Sequence, residues 1–400
     1  MEKKVSQHVT WVGKTDWQLT RFHGDELSTN FGSSYNSYLV RDEKTALIDT
    51  VWIPFDKEFI SGLKSVIDLK KIDYIIMNHN EIDHSGALPE LMREIPDVPI
   101  YCTAKGEAIL RGHYHQDWNF VNVKTGDTLK LGETTLTFFE APMLHWPDTM
   151  FTHLSGDNVL FSNDGFGQHY ASGNLFDESV RDMDELVGEA LKYYANILSP
   201  FSPMVKRKVE ELLGMGLKFD LIAPSHGIIW KDHINLIVGK YKEWCDNYAE
   251  NQVTIVYDTM WNSTRTMAEN IADGIHAVNP DIRVKLFNAA HTDKNDITTE
   301  VFRSKALLVG SPTINNGVSY AMEGIMEMIK GMKLKGKCGA AFGSYGWSGE
   351  SPKLLTAKLE NAGFKVLAEG LKNPWVPDGN ARMQCREYGM AFAKALEAAR

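Results

Sequence analysis

Residues 79–84, His79-Asn80-Glu81-Ile82-Asp83-His84, bring four metal-capable side chains into six positions directly after an apolar run, Ile72-Asp73-Tyr74-Ile75-Ile76-Met77. The run reads as a buried strand ending at Asn78. The ligands therefore sit on the loop leaving a strand's C-terminal end, where open sheets place their chemistry. In an extended or tightly turned loop, the first, third, fifth and sixth positions converge on a space about two metal ions wide. Two imidazoles and two carboxylates with no thiolate suit iron or manganese, admit zinc and exclude a thiolate-bound cluster. A solvated polar loop is the competing reading, and this density after a strand weighs against it.

Three further strand ends repeat the design. Thr135-Leu136-Thr137-Phe138-Phe139 leads through Ala141-Pro142-Met143-Leu144 to His145; Val159-Leu160-Phe161-Ser162-Asn163 ends at Asp164-Gly165; Leu221-Ile222-Ala223-Pro224-Ser225 ends at His226-Gly227. Each residue alone is more often a satisfied loop or core residue than a ligand. Their recurrence, with His or Asp beside turn residues, changes that balance. Around them short β runs alternate with helical stretches to about residue 250. Strands are expected at 134–139, 158–162 and 219–223, with helices at 55–69, from Leu88 and at 233–248. The pattern is an α/β layered sandwich with helices outside two sheets.

The cluster resembles the metallo-β-lactamase-fold signature His-x-His-x-Asp-His with Glu81 in place of its second histidine, and in that replacement it is similar to the flavodiiron proteins (A-type flavoproteins). A carboxylate there adds negative charge and a harder donor, which favours iron over zinc. The resemblance implies that His79, Glu81 and His145 bind one iron, that Asp83, His84 and His226 lie toward a second, and that Asp164 bridges. Two ferrous ions carry four positive charges against three carboxylates, so a bridging hydroxide would neutralise the site. Seven ligands on two octahedral ions leave positions open for O2 or NO. His84 either ligates or yields its place to a water. His23, beside Gly24-Asp25-Glu26-Leu27, matches a region that approaches the metals in the family, and Tyr193 or Tyr194 would supply a hydroxyl near them. His113, His115, His153, His169 and His233 are expected to be surface or structural residues.

From Gln252 the texture changes to regular β-α-β alternation. Val253-Thr254-Ile255-Val256-Tyr257 is a buried strand running through Asp258 into Thr259-Met260-Trp261-Asn262-Ser263-Thr264, then a helix from about Arg265 to Val278. Hydroxyl and amide residues before a helix N-terminus make a phosphate cradle, although ordinary N-caps look similar. Two more strands, Ala306–Gly310 and Gly339–Gly343, lead to Ser311-Pro312-Thr313-Ile314-Asn315-Asn316-Gly317 and Ser344-Tyr345-Gly346-Trp347-Ser348-Gly349-Glu350. These loops supply small residues for close backbone approach and aromatics, Trp347 first and Tyr345 next, to flank a flat ring such as the isoalloxazine of FMN. The loop at 259–264 looks like the phosphate loop of flavodoxin, with Trp261 where Ser or Thr is usual. No Gly-x-Gly-x-x-Gly motif suggests a dinucleotide site.

The expected architecture is thus a metallo-β-lactamase-like αββα sandwich at 1–250 followed by a flavodoxin-like doubly wound parallel sheet at 251–400. The resemblance implies reductive scavenging of O2 to water, NO to N2O, or both, with a diferrous pair and reduced FMN supplying electrons, in subunits paired head to tail as a homodimer or tetramer. With no Cys-x-x-Cys pair, the chain carries no rubredoxin-type module, so the electron donor is expected to be separate: rubredoxin, or alternatively coenzyme F420. The four scattered cysteines, the absence of an apolar signal core and the lack of a membrane-length run lead us to expect a cytoplasmic protein. A net charge of −10 argues against nucleic acid. It is uneven: residues 251–400 hold 18 Lys/Arg against 15 Asp/Glu, and the Lys333-Leu334-Lys335-Gly336-Lys337 cluster is a candidate for steering an acidic donor. Two rival readings are a dinuclear zinc hydrolase fused to an unrelated α/β domain, and an electron-transfer flavoprotein whose first domain is only structural.

Overall fold

Short β-branched runs broken by turns build two sheets in the first part of the chain; the structure is a computed structural model describing residues 3–399. One sheet has the order Lys3–Lys4, Val9–Trp11, Tyr38–Arg41, Thr45–Ile48, Tyr74–Ile76, Ile100–Cys102, Phe120–Asn122. Its pairs are antiparallel up to Thr45–Ile48 and parallel beyond. The other runs Thr128–Lys130, Thr135–Glu140, Met150–Leu154, Val159–Asn163, Leu221–Pro224, with only its last pair parallel. Between the sheets lies a core that includes Val40, Ile48 and Ile76 from the first and Phe138, Leu154 and Phe161 from the second, all buried. Burying each such side chain is worth roughly 1.5–3 kcal/mol. In the parallel pair, Val159 faces Leu221 and Phe161 faces Ala223. That register ends both strands together and sets the loops carrying Asp164 and His226 side by side.

Helices take up the remaining apolar stripes. Asp56–Val66 buries Phe59, Ile60 and Leu63 at helical spacing. It is shorter than expected because Ile67 is already extended (φ −150°) and accepts no continuation. The helix expected to reach residue 248 spans Ile234–Trp244. The metal-rich loop is not all loop: Ile82–Ser85 closes one helical turn, which carries Asp83 and His84.

The second part is a parallel sheet in the order Arg283–Asn288, Glu250–Tyr257, Ser304–Gly310, Cys338–Tyr345, Lys365–Val366, with Leu371–Pro374 pairing the far half of Cys338–Tyr345. The helices Ser263–Val278 and Gly379–Ala398 cross with backbones in contact. A Cβ on Gly274 would collide with the carbonyl of Arg386, and one on Gly389 with that of Ile271. Contacts divide the chain between Cys245 and Asp246, with Ala195–Pro200 grouping with the later unit.

Lys337 corrects the expected basic cluster. Its ammonium is buried and donates to the carbonyls of Tyr248 (3.0 Å), Phe302 (2.7 Å) and Ser304 (2.6 Å), which leaves only Lys333 and Lys335 exposed. All four cysteines are free and buried, and no helix among the described residues is long and apolar enough to cross a membrane.

Candidate metal centre

Four strand ends of the first unit deliver seven side chains to one buried place, and their donor atoms fall into two groups. His79 Nε2 lies 3.4 Å from Glu81 Oε2, and His145 Nε2 lies 3.3 Å from the same oxygen. His226 Nε2 and His84 Nε2 lie 3.0 and 3.1 Å from Asp83 Oδ2. Asp164 spans both groups. Its Oδ2 is 3.6 Å from His79 and 3.4 Å from His145, while its Oδ1 is 3.2 Å from His84 and 3.5 Å from His226. His84 is therefore turned inward with the rest.

His79 Nε2 and Glu81 Oε2 are within hydrogen-bonding geometry at 3.4 Å, but several of the other donors are not. Asp83 Oδ1, both oxygens of Asp164 and His84 Nε2 are buried with no hydrogen-bond partner among the described residues. Buried polar atoms are normally satisfied, so donors packed at such distances around a common point, and satisfied by nothing else, fit a cation in each group. Electrostatics agrees. Burial would raise the carboxyls of Asp83 and Asp164, yet the histidines hold both below the usual carboxylate range. Burial would lower His84, yet Asp83 and Asp164 push it up to about 9. His79 is raised by Asp148 and Glu81, and His145 by Asp164 and Glu81, each against its burial. The carboxylates and histidines thus together favour positive charge at this place.

A second layer fixes these side chains. Asp148, which our sequence reading missed, is buried with Oδ1 3.1 Å from His79 Nδ1, while its Oδ2 accepts from Asn80 N and Nδ2, each at 2.8 Å. The available signal was its place in His145-Trp146-Pro147-Asp148. Asp49 accepts from Asn78 N at 2.7 Å and from Asn163 Nδ2 at 3.4 Å, tying together the residues just before His79 and Asp164. His226 Nδ1 meets the Ser34 carbonyl at 2.7 Å. His23 Nε2 is 3.2 Å from Glu81 Oε1. Tyr193 is buried; burial and the Asp164 carboxylate push its phenol well above the usual value. Tyr194 instead bonds Ser202 Oγ at 2.9 Å, away from the donors. His169, expected to be merely structural, has its ring 4.9 Å from that of His226 and 5.1 Å from Tyr193, with Nε2 unpartnered among the described residues. His153 and His233 are structural, bonded to the Lys218 carbonyl (3.2 Å) and Asp177 (3.1 Å), and His113 and His115 are exposed. A pocket of about 330 Å³ walled by Phe22, Trp52 and Trp146 opens onto Glu81 and Asp83, with His23 and His113 also lining it.

In the second unit, Thr259–Thr264 follows the strand Glu250–Tyr257 and enters the helix Ser263–Val278. Asn262, in the left-handed region (φ 63°), makes no side-chain cap, and Thr259 Oγ1 is buried without a partner among the described residues. The site thus holds an unspent hydroxyl beside a helix N-terminus, as a phosphate group requires. The hydroxyls of Thr264 and Ser344 bond each other at 2.8 Å and Thr313 bonds Ser351 at 3.0 Å, so these residues lash the loops together. Ile314, Asn315 and Asn316, and Ser348 with Gly349, complete the rims, and Asn316 Nδ2 donates to Glu350 at 3.0 Å. Trp347 is 91% exposed and Trp261 81%, an unusual state for indoles. Trp375 and Tyr320, which we did not foresee, are exposed as well. Trp375 follows Leu371–Pro374, a strand whose polar composition hides it.

Residues 34–227 match the ODP family beta lactamase model and residues 255–389 the flavodoxin model. The anaerobic nitric oxide reductase flavorubredoxin of Aliivibrio fischeri is 51% identical over 98% of this chain and 79% of its own length; that of Salmonella typhi is 51% identical over 98% and 81%. Among solved structures, rubredoxin oxygen:oxidoreductase from Desulfovibrio gigas is 38% identical with a TM-score of 0.96, covering 100% of this chain and 99% of its own. The flavodiiron protein of Giardia intestinalis is 31% identical with a TM-score of 0.94, covering 100% and 97%.

Proposed function

This chain belongs to the flavodiiron protein family, and on that premise we propose that it reduces NO to N2O and O2 to water at a non-haem diiron centre fed with electrons by FMN. The observation that carries the reading is the pair of nitrogen and oxygen donor groups sharing Asp164. In this reading His79, Glu81 and His145 hold one iron, Asp83, His84 and His226 hold the other, and Asp164 bridges. Bound there, iron would supply electrons and open positions for a diatomic molecule, with FMN replenishing the electrons. NO comes first because the 51% identical relatives are named for it, whereas the oxygen-named relative is 38% identical.

The protein's own groups would then govern access and protons. The pocket's aromatic walls, Phe22, Trp52 and Trp146, suit a small uncharged gas. Tyr193 keeps its proton to high pH and so remains a hydrogen-bond donor beside Asp164. His23 stands at the pocket, in contact with Glu81 Oε1, where a proton can pass between solvent and the buried site. In the second unit, Thr259, Met260, Trp261, Asn262, Ser263 and Thr264 would cradle the phosphate of FMN. Pro312, Thr313, Ile314, Asn315 and Asn316, with Ser344, Tyr345, Gly346, Trp347, Ser348 and Gly349, would enclose the ring. Rubredoxin is the proposed donor, supported by the names of the Aliivibrio and Desulfovibrio relatives, with coenzyme F420 the second candidate. Head-to-tail pairing of subunits would bring one FMN beside the partner's iron. Glu81 and the flavodoxin match disfavour a zinc hydrolase. Metal and flavin analysis of the purified protein, followed by anaerobic NO and O2 consumption with reduced rubredoxin, tests the proposal. Two irons and one FMN per chain with turnover would support it; two zincs and no flavin would overturn it.

A further inference from the structure

The two groups of donors are supported unequally. His79 directs Nδ1 at a buried carboxylate, Asp148 Oδ1, at 3.1 Å. Its counterpart His226 directs Nδ1 at an uncharged acceptor, the Ser34 carbonyl, at 2.7 Å. His84 has neither ring nitrogen in a hydrogen bond among the described residues. An anionic acceptor fixes the tautomer that leaves Nε2 free for the metal and adds electron density to the ring. A carbonyl does the first but little of the second, and an unheld ring does neither. Asp148 cannot swing away, because its other oxygen accepts two hydrogen bonds from Asn80 and its main-chain carbonyl accepts one from Thr103 Oγ1 at 3.0 Å.

We propose that Asp148 is a positioning residue that makes the His79–Glu81–His145 half of the centre the tighter, first-filled metal position, leaving the Asp83–His84–His226 half to fill second. This rests on the two-cation reading above. The substitution D148N probes it sharply. An amide has one oxygen to share between the Asn80 donors and His79. With two N–H groups of Asn80 to satisfy, the amide oxygen turns toward them and the NH2 toward His79 Nδ1. That forces the proton onto Nε2, the atom the metal needs.

The test titrates the metal-free full chain with Co2+ under anaerobic conditions, reading visible absorbance and bound cobalt. The wild type should take two cations in resolved steps. D148N should weaken the first step roughly 10–100-fold and merge it with the second, still reaching two. H84A should leave the first step intact and weaken the second, and that arm decides the matter if D148N does not fold. Fewer than two cations on the wild type would sink the dinuclear reading itself. Two cations in resolved steps, with D148N folded and titrating as the wild type does or with H84A weakening the first step, would overturn the role of Asp148 and leave the dinuclear reading standing.

Discussion

Metal-free protein should lose stability as pH rises from 6.5 to 9, and metal-loaded protein should not. The cause is His84, buried with the carboxylates of Asp83 and Asp164 at 3.1 and 3.2 Å. Burial works against its protonation, but the two carboxylates more than offset this and push it up from 6.5 to about 9. A histidine whose folded value exceeds its unfolded one stabilises in full below the unfolded value. That contribution is lost as pH rises through the folded value. At ~1.4 kcal/mol per pH unit of separation, the loss is about 3 kcal/mol, which for a unit of this size lowers Tm by roughly 6–12 °C. His79 and His145 are raised as well and act in the same direction. A bound cation replaces these protons, so its affinity should tighten about tenfold per pH unit for each proton displaced. The assay is thermal unfolding of metal-free and iron-loaded protein at several pH values across that window. Taking the difference cancels groups remote from the centre, among them Lys337, which burial lowers to about 7. A metal-free curve that runs parallel to the loaded one would refute the argument that protons on His84 stand in for the metal.

Three further outcomes follow from the packing and the charges. Phe161 is buried between the sheets with its ring 5.2 Å from that of Tyr38, and F161A should cost about 3–5 kcal/mol, read as a lower denaturant midpoint; a loss under about 1 kcal/mol would mean the core collapses around the gap. W347A should weaken FMN binding about tenfold, the ~1.4 kcal/mol expected of a lost aromatic contact; an unchanged flavin fluorescence titration would remove Trp347 from the ring's surroundings. The double variant K333E/K335E should slow reduction by an acidic rubredoxin at low ionic strength and match the wild type at high salt, whereas equal stopped-flow rates at every salt concentration would show that the donor approaches elsewhere.

The seven side chains that gather at the candidate centre were legible in the sequence because each advertises itself twice: by chemistry, and by following an apolar run into turn residues. A ligand must sit where strands end, and strand ends are among the things that hydrophobic pattern marks. The helical turn at Ile82–Ser85 was less visible because a single turn has no periodicity to read. Lys337 misled because three lysines in five residues look like surface. The strand Cys338–Tyr345 begins at the next residue and carries that lysine inward, where three carbonyls receive it.

The second layer was hidden for a deeper reason. Asp148 reaches His79 across 69 residues of sequence, and only the way the two sheets face each other makes them neighbours. His169 meets His226 because the neighbouring parallel strands Val159–Asn163 and Leu221–Pro224 end together. The partner of His226 is more opaque still, since it is the main-chain carbonyl of Ser34, which almost any residue at that position would offer. Side chains that touch a metal are constrained by type and therefore readable. Groups that orient those side chains are constrained by place, and a backbone acceptor leaves no mark in the sequence at all. The inequality between the two halves of this centre, a carboxylate behind His79 and a peptide carbonyl behind His226, is for that reason a property of the fold: Asp148 leaves a faint mark beside His145, and the Ser34 carbonyl leaves none.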